Sequence, residues 1–123
     1  MSARVIAKPN QQGRVGKTTT AVNLSACLAT AENKTLLLDI DPQANASSGC
    51  GIVIDEQTPC VYEVLLEDVP LMEVIHESDL PFLSIAPSHI RLTGAEVEMV
   101  SVTSREQRLK NALLKARETY DFI

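Results

Sequence analysis

Asn10-Gln11-Gln12-Gly13-Arg14-Val15-Gly16-Lys17-Thr18-Thr19-Thr20 joins two segments of different character. Before it, Arg4-Val5-Ile6-Ala7 is a short apolar run that stops at Lys8-Pro9. Proline cannot donate to a sheet ladder, so a strand ends there. After it, residues 18–29 put Ala21, Leu24, Ser25 and Leu28 on one face at helical spacing, with no Gly or Pro to interrupt them. Glu32-Asn33-Lys34 turns the chain into Thr35-Leu36-Leu37-Leu38-Asp39-Ile40, a continuous apolar strand of the kind covered on both faces in parallel sheets. The stretch is therefore the loop of a βαβ unit, and it opens directly into the helix.

A glycine-containing loop at that place suits an anion, because the first helical turn presents unpaired N–H groups and a partial positive charge. Gly13, Val15 and Gly16 supply cradle backbone, and Gly16 lets it approach phosphates. Lys17 can place its ammonium on the β- and γ-phosphates, Thr18 can ligate Mg²⁺, and Thr19 can donate to the α-phosphate. The strict pattern G-x-x-x-x-G-K-[ST] fails at position 11, which is Gln11. Taken alone, the letters also fit an ordinary Lys-Thr-Thr helix start. A second feature weighs against that: Asp39-Ile40-Asp41-Pro42-Gln43 follows the second strand at its carboxyl end, where parallel sheets bind ligands. One carboxylate is suited to the Mg²⁺ water shell and the other, in the loop, to an attacking water.

Outward from this unit, residues 41–51 are rich in Asn, Ser and Gly and read as a loop of functional length. Residues 61–67 and 71–77 read as two short helices separated by Pro70, and residues 82–86 as a third strand between Pro81 and Pro87. Residues 96–100 and 103–119 read as helical, the latter with Leu109, Ala112, Leu113 and Ala116 on one side, and residues 120–123 begin a fourth strand. The alternation implies an α/β fold on a mainly parallel sheet.

Composition bounds this reading. The 123 residues carry 11 Lys and Arg against 16 Asp and Glu, a net charge of −5, with 45% hydrophobic residues, so one domain at most is expected and disorder is excluded. No apolar run reaches about 18 residues and no secretory pattern opens the chain, so a cytoplasmic protein without a membrane partner is expected. Cys27, Cys50 and Cys60 are odd in number and form no C-x-x-C pair, so they read as small or buried residues. The basic residues of 103–117 and the carboxylates Glu63, Glu67, Asp68, Glu73 and Glu77 read as solvated helix faces, and His76 and His89 as surface residues.

N-Q-Q-G-R-V-G-K-T-T-T-A-V-N-L-S-A-C-L-A (10–29) and T-L-L-L-D-I-D-P-Q-A-N-A-S-S-G-C-G-I (35–52) resemble the ParA (Soj) branch of the ParA/MinD ATPases. That family's deviant P-loop reads K-G-G-V-G-K-T-T and its next strand ends D-x-D-P-Q-x-N. The likeness continues through Ile85-Ala86-Pro87-Ser88 and Leu92-Thr93-Gly94-Ala95-Glu96 to Tyr120-Asp121-Phe122-Ile123. It implies a P-loop NTPase fold, Rossmann-like and three-layered, truncated here after about four strands, with residues 1–123 the N-terminal part of an incomplete ParA-like AAA-type ATPase domain. It further implies ATP and Mg²⁺ as cofactors. Gly13, Val15, Gly16, Lys17, Thr18 and Thr19 hold the nucleotide, Thr18 and Asp39 serve the metal, and Lys17 and Asp41 are catalytic, Asp41 acting on the hydrolytic water. Nucleotide-dependent homodimers, non-specific DNA, a ParB-type partner and nucleoid association in chromosome or plasmid partition complete what the family implies.

The chain departs from that pattern in places. The signature lysine falls on Gln12, which predicts impaired hydrolysis and dimerisation because a cation that stabilises phosphoryl transfer is lost. The second glycine falls on Arg14, which distorts the loop if φ > 0 is needed there, or supplies a replacement cation. Lys8-Pro9 replaces small apolar residues, and the family's next carboxylate strand is absent. An alternative function is a non-catalytic, truncated paralogue acting as a protein-binding module; a different P-loop enzyme is a third.

Overall fold

Alternation of side chains along short strands sets the architecture. The computed structural model describes residues 2–7, 14–94 and 105–123. In β1 (Thr35–Leu38), Leu36 joins one buried cluster and Leu37 another. In β3 (Leu83–Ala86), Leu83 and Ile85 share the side of Leu37, and Ala86 the side of Leu36. Successive residues of a strand point to opposite faces, so two separate cores form on one sheet. Ala29 of helix α1 (Arg14–Thr30) and Ala46 of α2 (Asn45–Gly49) close the Leu37 side. Val61 and Val64 of α3 (Val61–Leu66) and Ala116 of α4 (Arg105–Thr119) close the Leu36 side. The result is the expected three-layer α/β fold.

β1 and β3 pair in parallel from Thr35 opposite Leu83 to Leu38 opposite Ala86. On the other flank of β1, Phe122 makes parallel bridges to both Thr35 and Arg4. Leu36 N donates to Phe122 O at 3.0 Å, and Ile6 N donates to Ile123 O at 2.8 Å. The first and last strands expected from the sequence are therefore present as bridged segments side by side. Across the sheet the order runs from the Arg4 segment through the Phe122 segment and β1 to β3.

Four expectations need correction. Residues 71–77 are not a helix: Pro70 caps a single 3₁₀ turn (Leu71–Glu73), and β2 (His76–Glu77) pairs antiparallel to β3, with His76 opposite Ile85. Leu71 and Val74 are buried, three residues apart, which satisfies the apolar spacing with one tight turn. Residues 41–51 contain α2 rather than loop alone. Helix α1 begins at Arg14, so Arg14, Val15 and Gly16 are helical and not loop. The positive-φ cost anticipated at Arg14 does not arise in helical backbone. Finally, Leu24 is 38% exposed, and the buried face of α1 runs instead through Ser25 and Ala29. The helix expected over 96–100 lies outside the described residues, as do Gln12 and Gly13.

On α4, Ala116 is buried and Leu109, Ala112 and Leu113 are half-buried, as the periodicity implies. Lys110, Lys115 and Arg117 are exposed, while Arg108 is held by Leu65 O at 3.1 Å and by Asp68 at 3.4 Å.

Candidate functional site

Chain direction brings the site together. α1 ends at Thr30 and a tight turn through Glu32, with φ 64°, leads into β1 at Thr35. A helix that returns so directly runs antiparallel to its following strand, so the N-terminus of α1 lies at the carboxyl end of β1. α2 packs beside the middle of α1, with Gly49 next to Val22. Val15, Gly16, Lys17 and Thr18 are thereby placed, by backbone, in the first turns of α1 beside the segment that carries Asp39 and Asp41. Thr19 is exposed in the same helix. Ala7, Ala21, Ser25, Asp39, Asp41 and Pro42 contribute to one cavity of about 620 Å³, whose remaining walls are largely apolar.

Asp39 follows β1 immediately and is 4% exposed. Its Oδ2 accepts hydrogen bonds from Ser47 N at 2.9 Å and Ser47 Oγ at 2.6 Å, and its Oδ1 accepts from Asp41 N at 3.1 Å. Its own N–H donates to Ala86 O at 3.0 Å, which fixes it to the sheet. Asp41 is half-exposed. Its Oδ1 accepts from Gln43 N at 3.0 Å and its carbonyl from Ala44 N at 2.8 Å, a tight turn that ends at Ala44 with φ 54°. The Asp41 Oδ2 takes no hydrogen bond among the described residues.

Asp39 tests whether a nucleotide with Mg²⁺ fits here. A buried carboxylate is costly unless its oxygens are satisfied or a cation is near. Among the described residues Asp39 has three neutral donors and no ion pair, and Oδ1 retains acceptor capacity. Mg²⁺ keeps several waters and takes one or two carboxylates together with phosphate oxygens, so this single carboxylate suits its outer sphere. No group of three or more His, Cys, Asp or Glu able to hold a metal occurs among the described residues. Burial pushes the Cys50 thiol up from its usual pKa, and the nearby Asp39 adds to this.

Sequence reasoning placed Lys17, Thr18, Thr19, Asp39 and Asp41 in one corner; the structure brings Asp39 and Asp41 to one cavity and sets Lys17, Thr18 and Thr19 on the backbone of α1. Sequence reasoning missed Ser47 and Ser88. Ser88 N donates to Ser47 Oγ at 3.1 Å, and Ser88 Oγ donates to Asp41 O at 2.6 Å. The only signal was the run of small polar residues after Asp41, and a serine directly after a strand and a proline.

A family model described as an AAA domain, AAA_31, matches residues 3–123. The chain belongs to this AAA domain family. Within it, the chain is 52% identical over 120 residues to the chromosome partitioning protein ParA of Myxococcus xanthus, covering 98% of this chain and 42% of that protein. It is 48% identical over 120 residues to the sporulation initiation inhibitor protein Soj of Bacillus subtilis, covering 98% of this chain and 47% of the relative. The expected ParA/Soj resemblance therefore holds along nearly the whole AAA_31 chain, which spans less than half the length of these relatives. Among solved structures, cobyrinic acid a,c-diamide synthase of Mycobacterium smegmatis with bound ATP analogue and magnesium is similar at a TM-score of 0.90 and 36% identity, over 98% of this chain and 49% of that one. A putative plasmid partition protein of Borrelia burgdorferi bound to AMPPNP is similar at a TM-score of 0.82 and 27% identity, over 100% of this chain and 52% of that one.

Proposed function

We propose that residues 1–123 are the ATP-binding portion of a ParA-type partition ATPase domain. What supports this is the chain direction that turns the start of α1 toward the carboxyl end of β1, where Asp39 and Asp41 line a cavity, in a chain 52% identical to a ParA protein over 120 residues. Gly13, Val15 and Gly16 present backbone N–H groups to the phosphates, Lys17 binds the β- and γ-oxygens, and Thr19 donates to the α-phosphate. Thr18 ligates Mg²⁺ and Asp39 accepts from its water shell. Bound Mg²⁺ supplies charge neutralisation on the phosphate oxygens. Asp41, whose main chain is fixed by Asp39 and Ser88, orients a water. Gln12 in place of a cation limits turnover, so binding is the expected activity of this chain.

For the whole protein we propose the family's use: a cytoplasmic, nucleoid-associated switch that dimerises on ATP, contacts DNA without sequence preference and is reset by a ParB-type partner. A non-catalytic protein-binding role is the second reading, favoured by the exposed apolar Val5 and Ile6 at the sheet margin.

Titration of a fluorescent ATP analogue with Mg²⁺ separates the two. Saturable micromolar binding is expected, weakened about tenfold or more by Lys17→Ala, the worth of a charge-assisted bond to phosphate. No saturable binding, or no effect of Lys17→Ala, would overturn the nucleotide reading.

A further inference from the structure

The hydrogen bonds around Asp39 and Asp41 close into a ring of four residues drawn from two loops. Asp41 N donates to Asp39 Oδ1 at 3.1 Å, and Asp39 Oδ2 accepts from Ser47 Oγ at 2.6 Å. Ser47 Oγ in turn accepts from Ser88 N at 3.1 Å, and Ser88 Oγ donates back to Asp41 O at 2.6 Å. Ser47 and Ser88 are 1% and 2% exposed, so water cannot substitute for either hydroxyl. Each hydroxyl has a single proton, and the ring uses both: Ser47 gives its proton to Asp39, which leaves its lone pairs to Ser88 N. The donor and acceptor directions are therefore set all the way round.

The consequence falls on Asp41. Both peptide groups that flank it are clamped, the N–H by Asp39 and the C=O by Ser88, and among the described residues its Oδ2 takes no hydrogen bond, while Asp41 and Asp39 line one cavity. Asp39 Oδ2 is held by the N–H and the hydroxyl of Ser47, whose oxygen accepts from Ser88 N in turn, and Oδ1 keeps acceptor capacity. We infer that Ser47 and Ser88 are positioning residues of the nucleotide site, which hold the Asp39 carboxylate and the Asp41 main chain in the geometry that serves Mg²⁺ and water. The inference rests on the nucleotide-binding reading above, because it gives the ring a role in that site.

Ser47→Ala and Ser88→Ala each remove one oxygen atom and leave packing volume nearly unchanged. Two readouts on the purified 123-residue chain test the ring. Amide hydrogen exchange without nucleotide reports whether the 41–48 turn is held: both variants are expected to speed exchange at Ala44 and Ser47 about tenfold or more. The ratio of ATP affinity with Mg²⁺ to that with EDTA reports whether the ring serves the metal. Both variants are expected to lower this ratio about fivefold, the worth of one buried hydrogen bond, with affinity in EDTA altered less than about twofold. Ser88→Thr, which keeps the hydroxyl, is expected to retain both properties. Should Ser47→Ala fail to fold, Ser88→Ala decides alone. Unchanged exchange overturns the ring, and faster exchange with an unchanged Mg²⁺ ratio reduces it to a structural brace and overturns the inference. Absence of ATP binding by the unmodified chain overturns the nucleotide reading itself, and is told apart because exchange is measured without nucleotide.

Discussion

Arg91 shows how much one side chain can gather. Its Nε and one terminal nitrogen bind both oxygens of Glu63 at 3.2 and 2.9 Å, and that nitrogen also donates to Thr58 O at 2.8 Å. The same guanidinium lies 5.8 Å from the Tyr62 ring centroid. Glu63 also accepts from Cys60 N at 2.7 Å, completing the cap of α3. Burial pushes the Glu63 carboxyl up, but the Arg91 and Cys60 bonds outweigh it and hold the pKa below the ordinary value. A depressed carboxylate pKa contributes stability that is present above the unfolded value and lost as pH falls through the folded one. Glu63→Gln is therefore expected to cost about 1–2 kcal/mol at pH 7 in urea unfolding, and the gap from the unmodified chain should narrow below about pH 4. A gap that stays constant down to pH 3 would remove the ionic part of this explanation. None of this was legible in the sequence, because an isolated arginine gives no hint of partners drawn from residues 55–63. Lys17 and Asp41 stand out in the sequence because their neighbours, a glycine loop and a strand end, point to a chemistry locally.

At the scale of elements, the sequence told most where burial is two-sided. β1 and β3 are short apolar runs bounded by turn residues, and both lie where the runs lie. The reading failed at 71–77 because three-residue apolar spacing fits a 3₁₀ turn as well as an α-helix, and β2 is too short to show alternation. It failed at residues 14–16 because the glycines suggested a loop, whereas the helix begins at Arg14. The approach to β3 carries a cost of its own: Phe82 has φ 72° and is 46% exposed, while its carbonyl accepts from Thr35 N at 2.8 Å. A side chain in that region is strained by roughly 1–2 kcal/mol. Phe82→Gly keeps the backbone bond, and a stabilisation of about 0.5–1 kcal/mol is expected by thermal unfolding. A lower melting temperature would show that the Phe82 ring contributes more than its backbone costs.

For the whole molecule, the sheet margin and the nucleotide corner carry separate consequences. Arg4 and Ile6 bond to residues 121–123, so Val5 directs its N–H and C=O to the other side, with Val5 45% and Ile6 40% exposed. An apolar edge invites pairing with a second chain. The 123-residue chain is expected to show light scattering that rises with concentration, and Ile6→Lys is expected to suppress it by placing a charge on that edge. No helix among the described residues is long and apolar enough to cross a membrane. The α/β class and its mainly parallel sheet followed from the alternation of strands and helices, whereas the order of the strands and the ring that joins Asp39 to Ser88 depend on long-range pairing that local patterns do not encode. The proposed ATP site joins the start of α1 to the Asp39–Asp41 segment. Hydrogen exchange with and without Mg²⁺ and ATP tests this most directly. Protection is expected at residues 15–20 and 39–48 together, and to vanish in Lys17→Ala. Protection at neither segment, or at one without the other, would contradict a shared site.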